Sequence, residues 1–210
     1  MKPFLLILSA PTGTGKTTIA KALLDARPDS LAFSISATTR SPRPGEREGH
    51  DYFFLTRDEF VRRRDAGQFI EWAEYSGNLY GTPASEVERI LRSGRHVLLD
   101  IEIQGARQIR ARRPDVVSVF VLPPSVETLL ARLKSRGTNA PAELRPRLER
   151  AIQELEAAGE YDYLVVNDDR DQAIRDVAAI LDAESLRGER VRAAQELRDS
   201  LRRVAAEMRI

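Results

Sequence analysis

The sequence predicts an α/β fold in which a parallel sheet is flanked by helices, and three observations favour it. Apolar runs at residues 4–8, 97–99 and 116–122 are typical of strands buried on both faces of a parallel sheet. Segments of helix-forming character, at about 16–24 and 84–93, lie between the first two of these runs. The first run leads straight into a glycine-rich loop and a helical segment, which is how a βα unit begins.

The glycine-rich loop, residues 10–17, carries residue types that bind phosphate. Gly13 and Gly15 let backbone N–H groups turn inward, and Lys16 places a positive charge on the β- and γ-phosphates. The hydroxyl of Thr17 can ligate Mg²⁺. A helix that starts at the lysine adds its N-terminal dipole.

The loop departs from the pattern G-x-x-x-x-G-K-[ST] at its first position, where Ala10 stands for glycine. Because alanine is the smallest side chain that keeps a Cβ, we expect the turn to survive. The segment therefore predicts the phosphate loop of a P-loop NTPase fold, in a phosphoryl-transfer enzyme that uses Mg²⁺ as cofactor. The alternative is an ordinary tight turn between a strand and a helix.

Composition and charge bound the kind of protein. With 210 residues and 42% hydrophobic content, the chain can bury a substantial core. The formal net charge is +1 and both signs are interspersed, so no nucleic-acid or membrane partner is expected. The chain has no cysteine, which excludes disulfides and thiolate metal sites. We expect His50 and His96 to be loop or packing residues, because two distant histidines make no zinc site.

The start of the chain superficially resembles a secretion signal, with Lys2 before a short apolar stretch. The stretch is too short to span a membrane, and cleavage after it would destroy the phosphate loop. We therefore expect it to be the first core strand of a soluble, cytoplasmic protein.

The segment after the first helix changes character. Residues 33–38 alternate and predict a short strand, whereas 39–56 combine Pro and Gly with arginines and aromatics, as functional loops do. Thr56 and Glu59 form a capping box for a helix over about 57–66.

The middle of the chain continues the alternation of strands and helices. Residues 68–82 predict short strands with a turn at 76–78, and 84–93 predict a helix that stops at Gly94. The next apolar run ends in a carboxylate. In a parallel sheet, this places Asp100 at the carboxyl end of a buried strand, close to the loop that holds Mg²⁺.

The C-terminal part predicts mainly helices. Residues 125–157 are helix-forming and rich in arginine, with a break at 137–139. A strand at 163–166 precedes a helix over about 171–186. The tail, residues 189–210, has apolar residues three and four apart, which predicts an amphipathic helix. Barely two heptads are present, so packing on its own domain is favoured, and a homodimer seam stays open.

Several short segments resemble, in order, the motifs of bacterial guanylate kinases. These segments are residues 33–46, 49–54, 69–74, 77–82, 104–106, 123–125, 136–138 and 166–169. The resemblance covers about residues 3–187. It implies transfer of the γ-phosphoryl group of ATP to GMP, and also to dGMP, in purine nucleotide metabolism.

The resemblance implies roles for residues on the donor side. The acceptor is already an oxyanion, so catalysis needs positioning and charge neutralisation and no strong base. Lid arginines join the phosphate-loop lysine in the implied catalytic set, which is Lys16, Arg40, Asp100, Arg132, Arg136 and Arg147. ATP would contact Ala10, Pro11, Thr12, Gly13, Thr14, Gly15, Lys16, Thr17, Thr18, Asn167 and Asp168. Mg²⁺ would be held by Thr17 and Asp100, directly or through water.

The resemblance also implies a GMP site. Its residues would be Ser36, Arg40, Arg43, Tyr52, Glu71, Tyr80, Thr82, Asp100 and Glu102. Arg40 and Arg43 grip the phosphate with the hydroxyls of Tyr52 and Tyr80. Glu71 reads the base, because an ionised carboxylate accepts from both N1–H and the N2 amino group of guanine. Adenine presents an acceptor at N1, which a carboxylate repels.

Two residues of the GMP region depart from the family pattern. Glu102 stands where relatives often carry an Asp that assists in binding the base. The side chain of Glu is longer, and we expect it to change the position of this contact. Leu79 stands where many relatives carry an aromatic residue, and we expect it to affect packing.

The resemblance divides the chain into a guanylate-kinase-like domain, 1–188, and the amphipathic tail, 189–210. The parts of the domain would be a core at 1–35, 85–124 and 158–188, an inserted GMP-binding lobe at 36–84, and a lid at about 125–157.

Two other functions share parts of this pattern. A related nucleoside-monophosphate or small-metabolite kinase would share the phosphate loop and lid, but has no reason to combine Glu71 with Ser36 and Thr82. A catalytically silent guanylate-kinase-like scaffold typically loses the phosphate loop or the acceptor arginines, whereas this chain keeps Lys16 and Arg40. The pattern therefore favours the enzyme.

Overall fold

The structure, a computed structural model, describes residues 3–75, 77–113, 115–135 and 141–207. Strands and helices alternate along these ranges. The elements are β1 (Leu5–Ser9), α1 (Lys16–Ala26), β2 (Leu31–Phe33), β3 (Ala37–Thr38), β4 (Phe53–Phe54), α2 (Arg57–Asp65), β5 (Phe69–Tyr75), β6 (Asn78–Pro83), α3 (Ala84–Arg92), β7 (His96–Asp100), α4 (Ile103–Arg112), β8 (Val117–Leu122), α5 (Val126–Ser135), α6 (Pro141–Glu156), β9 (Tyr163–Val166) and α7 (Arg170–Glu207), with a 3-10 turn at Ala157–Glu160.

The larger sheet has five parallel strands in the order β2-β7-β1-β8-β9. Alternate residues of the fully buried strand β1 point to opposite faces. Leu6 and Leu8 join a core shared with α1 and α7, whereas Leu5 and Ile7 join a core shared with α3 and α4. A parallel sheet covered by helices on both faces confirms the predicted α/β fold.

The smaller sheet has the strand order β4-β3-β6-β5, and β3 and β5 both pair antiparallel with β6. Its core contains Ala37, Phe60, Phe69 and Leu79, and the Phe60 and Phe69 rings stack with centroids 4.5 Å apart. Leu79 is fully buried there, so its expected role in packing is confirmed.

The N-cap half of the capping box predicted for α2 is confirmed, since the Thr56 hydroxyl accepts a hydrogen bond from the Glu59 backbone N–H at 3.2 Å. The Glu59 carboxylate bonds to Arg62 and Arg63 on the same helix.

The single strand predicted at 33–38 is wrong. The chain leaves the larger sheet after Phe33 and joins the smaller one at Ala37, so two short strands serve different sheets. The Ser34 backbone N–H still bonds to the Leu98 carbonyl at 3.1 Å, whereas the Ser36 carbonyl already accepts from Phe53. An alternating pattern indicates the direction of the side chains, but it does not indicate which sheet a strand joins.

The helix predicted to end at about residue 186 is also wrong, because α7 continues without a break to Glu207. Gly188 costs about 1 kcal/mol within a helix, and the surrounding Leu, Arg, Glu and Ala residues are strong helix formers that offset this cost. Residues 193–203 are all exposed, so the favoured packing of the tail on its own domain is wrong too.

Helix α4 follows β7 directly, and the sequence pattern alone did not predict it. It buries only Gly105, Ala106 and Ile109, and the two small residues among them leave a weak periodic signal of apolar side chains. Within the described part of the chain, no helix combines the length and the apolar character that crossing a bilayer requires.

Candidate active site

The phosphate loop connects β1, the central strand of the larger sheet, to α1. Gly13 and Gly15 have φ angles of +94° and +92°, a left-handed backbone conformation that residues other than glycine rarely adopt. Between them, buried Thr14 bonds to the Pro11 carbonyl through its N–H at 3.2 Å and its hydroxyl at 2.8 Å. Ala10 packs against the core, so the loop closes with alanine at its first position.

Two predicted site residues, Asn167 and Arg132, form hydrogen bonds with the backbone of this loop. The Asn167 carboxamide is buried and donates to the Thr14 carbonyl at 2.5 Å. A Cβ at Gly15 would lie only 2.6 Å from that amide nitrogen, so glycine is also required by the close approach. The Arg132 guanidinium donates to the carbonyls of Thr14 and Asn167, each at 3.3 Å. Asp168, the next residue, is exposed.

Asp100 joins the loop to the neighbouring strand, because β7 pairs with β1 and ends beside it. Its carboxylate forms an ion pair with Lys16 Nζ at 2.7 Å and accepts from the Thr17 hydroxyl at 3.3 Å. Lys16 also donates to the Ile101 carbonyl at 3.3 Å. The predicted donor residues therefore meet at the carboxyl edge of the sheet.

The oxygens of Thr17 and Asp100 fit the needs of Mg²⁺, which takes one or two protein oxygens and completes its octahedron with water and phosphate. Across the described ranges, no group of three or more His, Cys, Asp or Glu residues could hold a metal by itself. A metal here would therefore take most of its ligands from the nucleotide and from water.

The predicted phosphate-gripping residues lie on strand β6 of the smaller sheet and on the loop that connects its strands β3 and β4. The Arg40 guanidinium is 5.4 Å from the centre of the Tyr52 ring, and the rings of Tyr52 and Tyr80 are 6.2 Å apart. Burial raises the pKa of Tyr52, which keeps its hydroxyl a neutral hydrogen-bond donor. Arg40 is paired with Glu46 at 2.9 Å, and the same carboxylate accepts from the Arg43 backbone N–H at 2.7 Å.

Glu71, the predicted base reader, is a buried carboxyl group on β5. Its partner across the sheet is Thr82, whose hydroxyl donates to Glu71 Oε1 at 2.5 Å. Burial raises the pKa of Glu71 to about 7, although the Thr82 hydrogen bonds favour the charged form. Ser36, predicted to act beside this pair, lies immediately before β3.

The arginines of the predicted lid do not all face the phosphate loop. Arg132 contacts it as described, whereas Arg147 donates to the Leu133 carbonyl at 3.3 Å and thereby ties α6 to α5. Arg136 lies outside the described residues.

Arg150 on α6 connects several parts of the site. Its guanidinium pairs with Glu102 at 3.1 Å and Glu154 at 3.0 Å, and lies 4.4 Å from the centre of the Tyr75 ring. Glu154 in turn accepts from the Thr12 backbone N–H at 3.3 Å. Helix α6 therefore reaches both the phosphate loop and strand β5, which carries Glu71.

Sequence reasoning gave no role to Glu46, Arg150 or Glu154, which brace the loops and the lid helix. The spacing of Arg150 and Glu154, four residues apart on one helix, was their only sequence signal. Gly105 belongs to a family-like motif, residues 104–106, and it faces the Glu71 carboxylate.

Known proteins match most of the chain. The family model for guanylate kinase matches residues 2–184. The chain is 51% identical over 177 residues to the guanylate kinase of Rubrobacter xylanophilus, which covers 84% of this chain and 92% of that one. It is 48% identical over 200 residues to the guanylate kinase of Hahella chejuensis, with 94% and 95% covered.

A solved structure agrees with these relatives. The crystal structure of guanylate kinase from Anaplasma phagocytophilum superposes with a TM-score of 0.69 at 37% identity, covering 87% of this chain and 86% of that one. A P-loop beside an acidic strand end, a second sheet with a buried carboxyl group, and these matches lead to one conclusion: the chain belongs to the guanylate kinase family.

Proposed function

We propose that this protein transfers the γ-phosphoryl group of ATP in line to GMP, and also to dGMP, with Mg²⁺ bound at the donor site, in the cytoplasm. ATP-dependent phosphorylation of GMP is the activity of its family, and the roles of individual residues are the proposal. The observation that carries it is the buried Glu71 carboxyl group, already hydrogen-bonded to Thr82.

On the donor side, Lys16 is the residue that responds to ATP. Its charge is paired with Asp100 at 2.7 Å, and the phosphates of ATP would compete for it. Asp100 and Thr17 would then hold Mg²⁺, which supplies positive charge to the phosphate oxygens when bound. Asn167 and Arg132 keep the loop backbone rigid while its N–H groups bind phosphate.

On the acceptor side, Arg40 and Arg43 would bind the GMP phosphate together with Tyr52 and Tyr80. Arg40 is held by Glu46 in a position over the Tyr52 ring, so little side-chain entropy is lost when the phosphate arrives. The lid arginines Arg132, Arg136 and Arg147 would add positive charge around the transferring group, with Asp168 beside the adenine.

The base would be read by Glu71, with Thr82 and Ser36 beside it. Thr82 already donates to Oε1, which leaves that oxygen one further acceptor site, and Oε2 can accept a second guanine donor. Glu102 would assist less than an Asp, because its carboxylate reaches across to Arg150 on the lid helix.

A direct test measures ADP release with ATP and Mg²⁺ and with GMP, dGMP, AMP, CMP and UMP in turn. The proposal expects turnover with the two guanine nucleotides and little with the others. Equal use of AMP would contradict the proposed base reading, and no turnover with any acceptor would favour the scaffold function.

The pKa of Glu71 predicts a pH dependence of GMP use. The carboxylate must be ionised to accept from guanine, and with a pKa of about 7 it is about 90% ionised at pH 8 and about 10% at pH 6. We expect kcat/KM for GMP to fall about tenfold over this interval, beyond any effect of the ionisation of GMP itself. The Glu71→Gln variant provides the control, because GMP ionises equally in both proteins. Parallel pH profiles of the two would contradict the prediction.

We further propose that the exposed part of α7 pairs with a second copy of the chain. Leu197 and Leu201, four residues apart, are 63% and 60% exposed. Removing residues 189–210 should leave GMP phosphorylation intact, because every proposed site residue and every family-like motif lies before Gly188. Sedimentation should show a dimer that becomes a monomer on truncation, and a monomeric full-length chain would contradict the pairing.

A further inference from the structure

We propose that one face of α4, formed by Gly105 and Gln108, positions the Glu71 carboxylate for the guanine base. Both are positioning residues, which act through Glu71 and do not touch the substrate. The inference rests on the base-reading role proposed for Glu71.

Gly105 provides space for the carboxylate. A Cβ built on Gly105 would lie 2.5 Å from Glu71 Oε2 and 3.0 Å from Glu71 Cδ, both well inside van der Waals contact. The glycine lies within α4 and has no positive φ, so its backbone conformation is open to any residue. Glycine is a poor helix former, and the close approach of Glu71 is therefore the physical reason for it here.

Gln108 fixes the strand that carries Glu71. Its side-chain oxygen accepts from the Trp72 N–H at 3.1 Å, and its side-chain nitrogen donates to the Trp72 carbonyl at 2.7 Å. Trp72 directly follows Glu71 on β5, which is the edge strand of the smaller sheet. The carboxamide thus bonds to the free edge of β5 as a neighbouring strand would.

The contacts of Gly105 and Gln108 both reach the part of β5 that contains Glu71 and Trp72, and both come from α4. Gly105 and Gln108 are three residues apart and lie on the same face of the helix. The Gln108 contacts set how far β5 stands from α4, and Gly105 leaves the carboxylate room within that distance. Because α4 begins three residues after Asp100, the same helix links the base reader to the donor edge of the larger sheet.

Gly105→Ala should push the carboxylate away from α4 and misplace it for guanine. A displacement of about 1 Å can cost on the order of a hundredfold, so we expect kcat/KM for GMP to fall about 30- to 100-fold through KM for GMP. The KM for ATP should be unchanged. Gly159→Ala is the matched control, because a Cβ there meets nothing within 4 Å and φ is not positive.

A double-mutant cycle tests the clash without any substrate. With Glu71 present, Gly105→Ala should lower Tm. In the Glu71→Ala background, the same change should raise Tm, because the space is free and alanine is the better helix former. An equal Tm change in both backgrounds would overturn the proposed contact.

Kinetics separate this inference from the proposed function. If Glu71→Gln impairs GMP use and Gly105→Ala does not, the positioning role is wrong and the base assignment stands. If neither impairs it, the base assignment fails and the positioning role fails with it.

Should Gly105→Ala not fold, the Gln108→Leu variant tests the same face of α4. We expect KM for GMP to rise at least about fivefold at constant KM for ATP, and an unchanged KM for GMP would refute the proposal.

Discussion

Replacing Lys16 with alanine should reduce the turnover of GMP by about 10²- to 10³-fold while the fold stays intact. The Lys16 ammonium lies at the donor edge, where it bonds to Asp100 and to the Ile101 carbonyl. In the proposed function, this ammonium is the charge that meets the β- and γ-phosphates as negative charge develops there. The substitution removes no buried apolar volume, because Lys16 is not part of either core of the larger sheet.

Lys21→Ala is the matched control for this prediction. Lys21 lies on the same helix and is exposed, so its loss removes the same charge from the protein without touching the loop. Circular dichroism and thermal unfolding of both variants would establish that they fold. Near-normal turnover in folded Lys16→Ala would show that the donor site is wrongly assigned.

Replacing Glu71 with glutamine should lower kcat/KM for GMP by roughly 30- to 1,000-fold, which corresponds to about 2–4 kcal/mol. An amide has one acceptor end and one donor end, so it cannot accept from both N1–H and the N2 amino group. One guanine donor would then face an NH₂ group in a buried site, and a charge-assisted hydrogen bond would be lost. ATP binding should remain, because the donor contacts of Lys16 and Asp100 are separate from Glu71.

Glu74→Gln offers the matched control on the same strand. Glu74 is 51% exposed and faces Arg57 at the surface, so the same chemical change there should leave GMP kinetics unaltered. An equal loss of kcat/KM for GMP in the two variants would indicate that both substitutions weaken β5 in general, and it would contradict the base-reading role of Glu71.

Local chemistry made the phosphate loop and its partners predictable. Glycines with a lysine and a threonine have few other uses at the end of a buried strand, and Asp100 ends the strand beside it. The parallel sheet followed from apolar runs, and α2 from its capping box. Each of these signals is contained in a few neighbouring residues.

Features that depend on distant contacts were not predictable in this way. The split of 33–38 into β2 and β3 depends on which strands are available for pairing, and pairing with β7 or β6 joins residues far apart in sequence. The continuation of α7 past Gly188 has a local cause, since it depends on the helix propensity summed over many neighbouring residues, which outweighs a single glycine.

Contacts of single side chains across the site were equally hidden from the sequence. Arg150 meets Glu102 across 48 residues of chain, and Gln108 meets Trp72 across 36. Gly105 was visible as part of a motif, but its reason, the nearness of Glu71 Oε2, appears only when α4 is placed against β5.

The most direct test of the account is the selectivity for GMP over AMP, measured as the ratio of their kcat/KM values in the wild-type protein and in Glu71→Gln. A carboxylate at this position attracts both guanine donors and repels the N1 acceptor of adenine, so the wild-type ratio should be large. Glutamine removes the attraction and the repulsion together, and the ratio should shrink by more than the loss of GMP efficiency alone. A ratio that is the same in both proteins would contradict the claim that Glu71 reads the base.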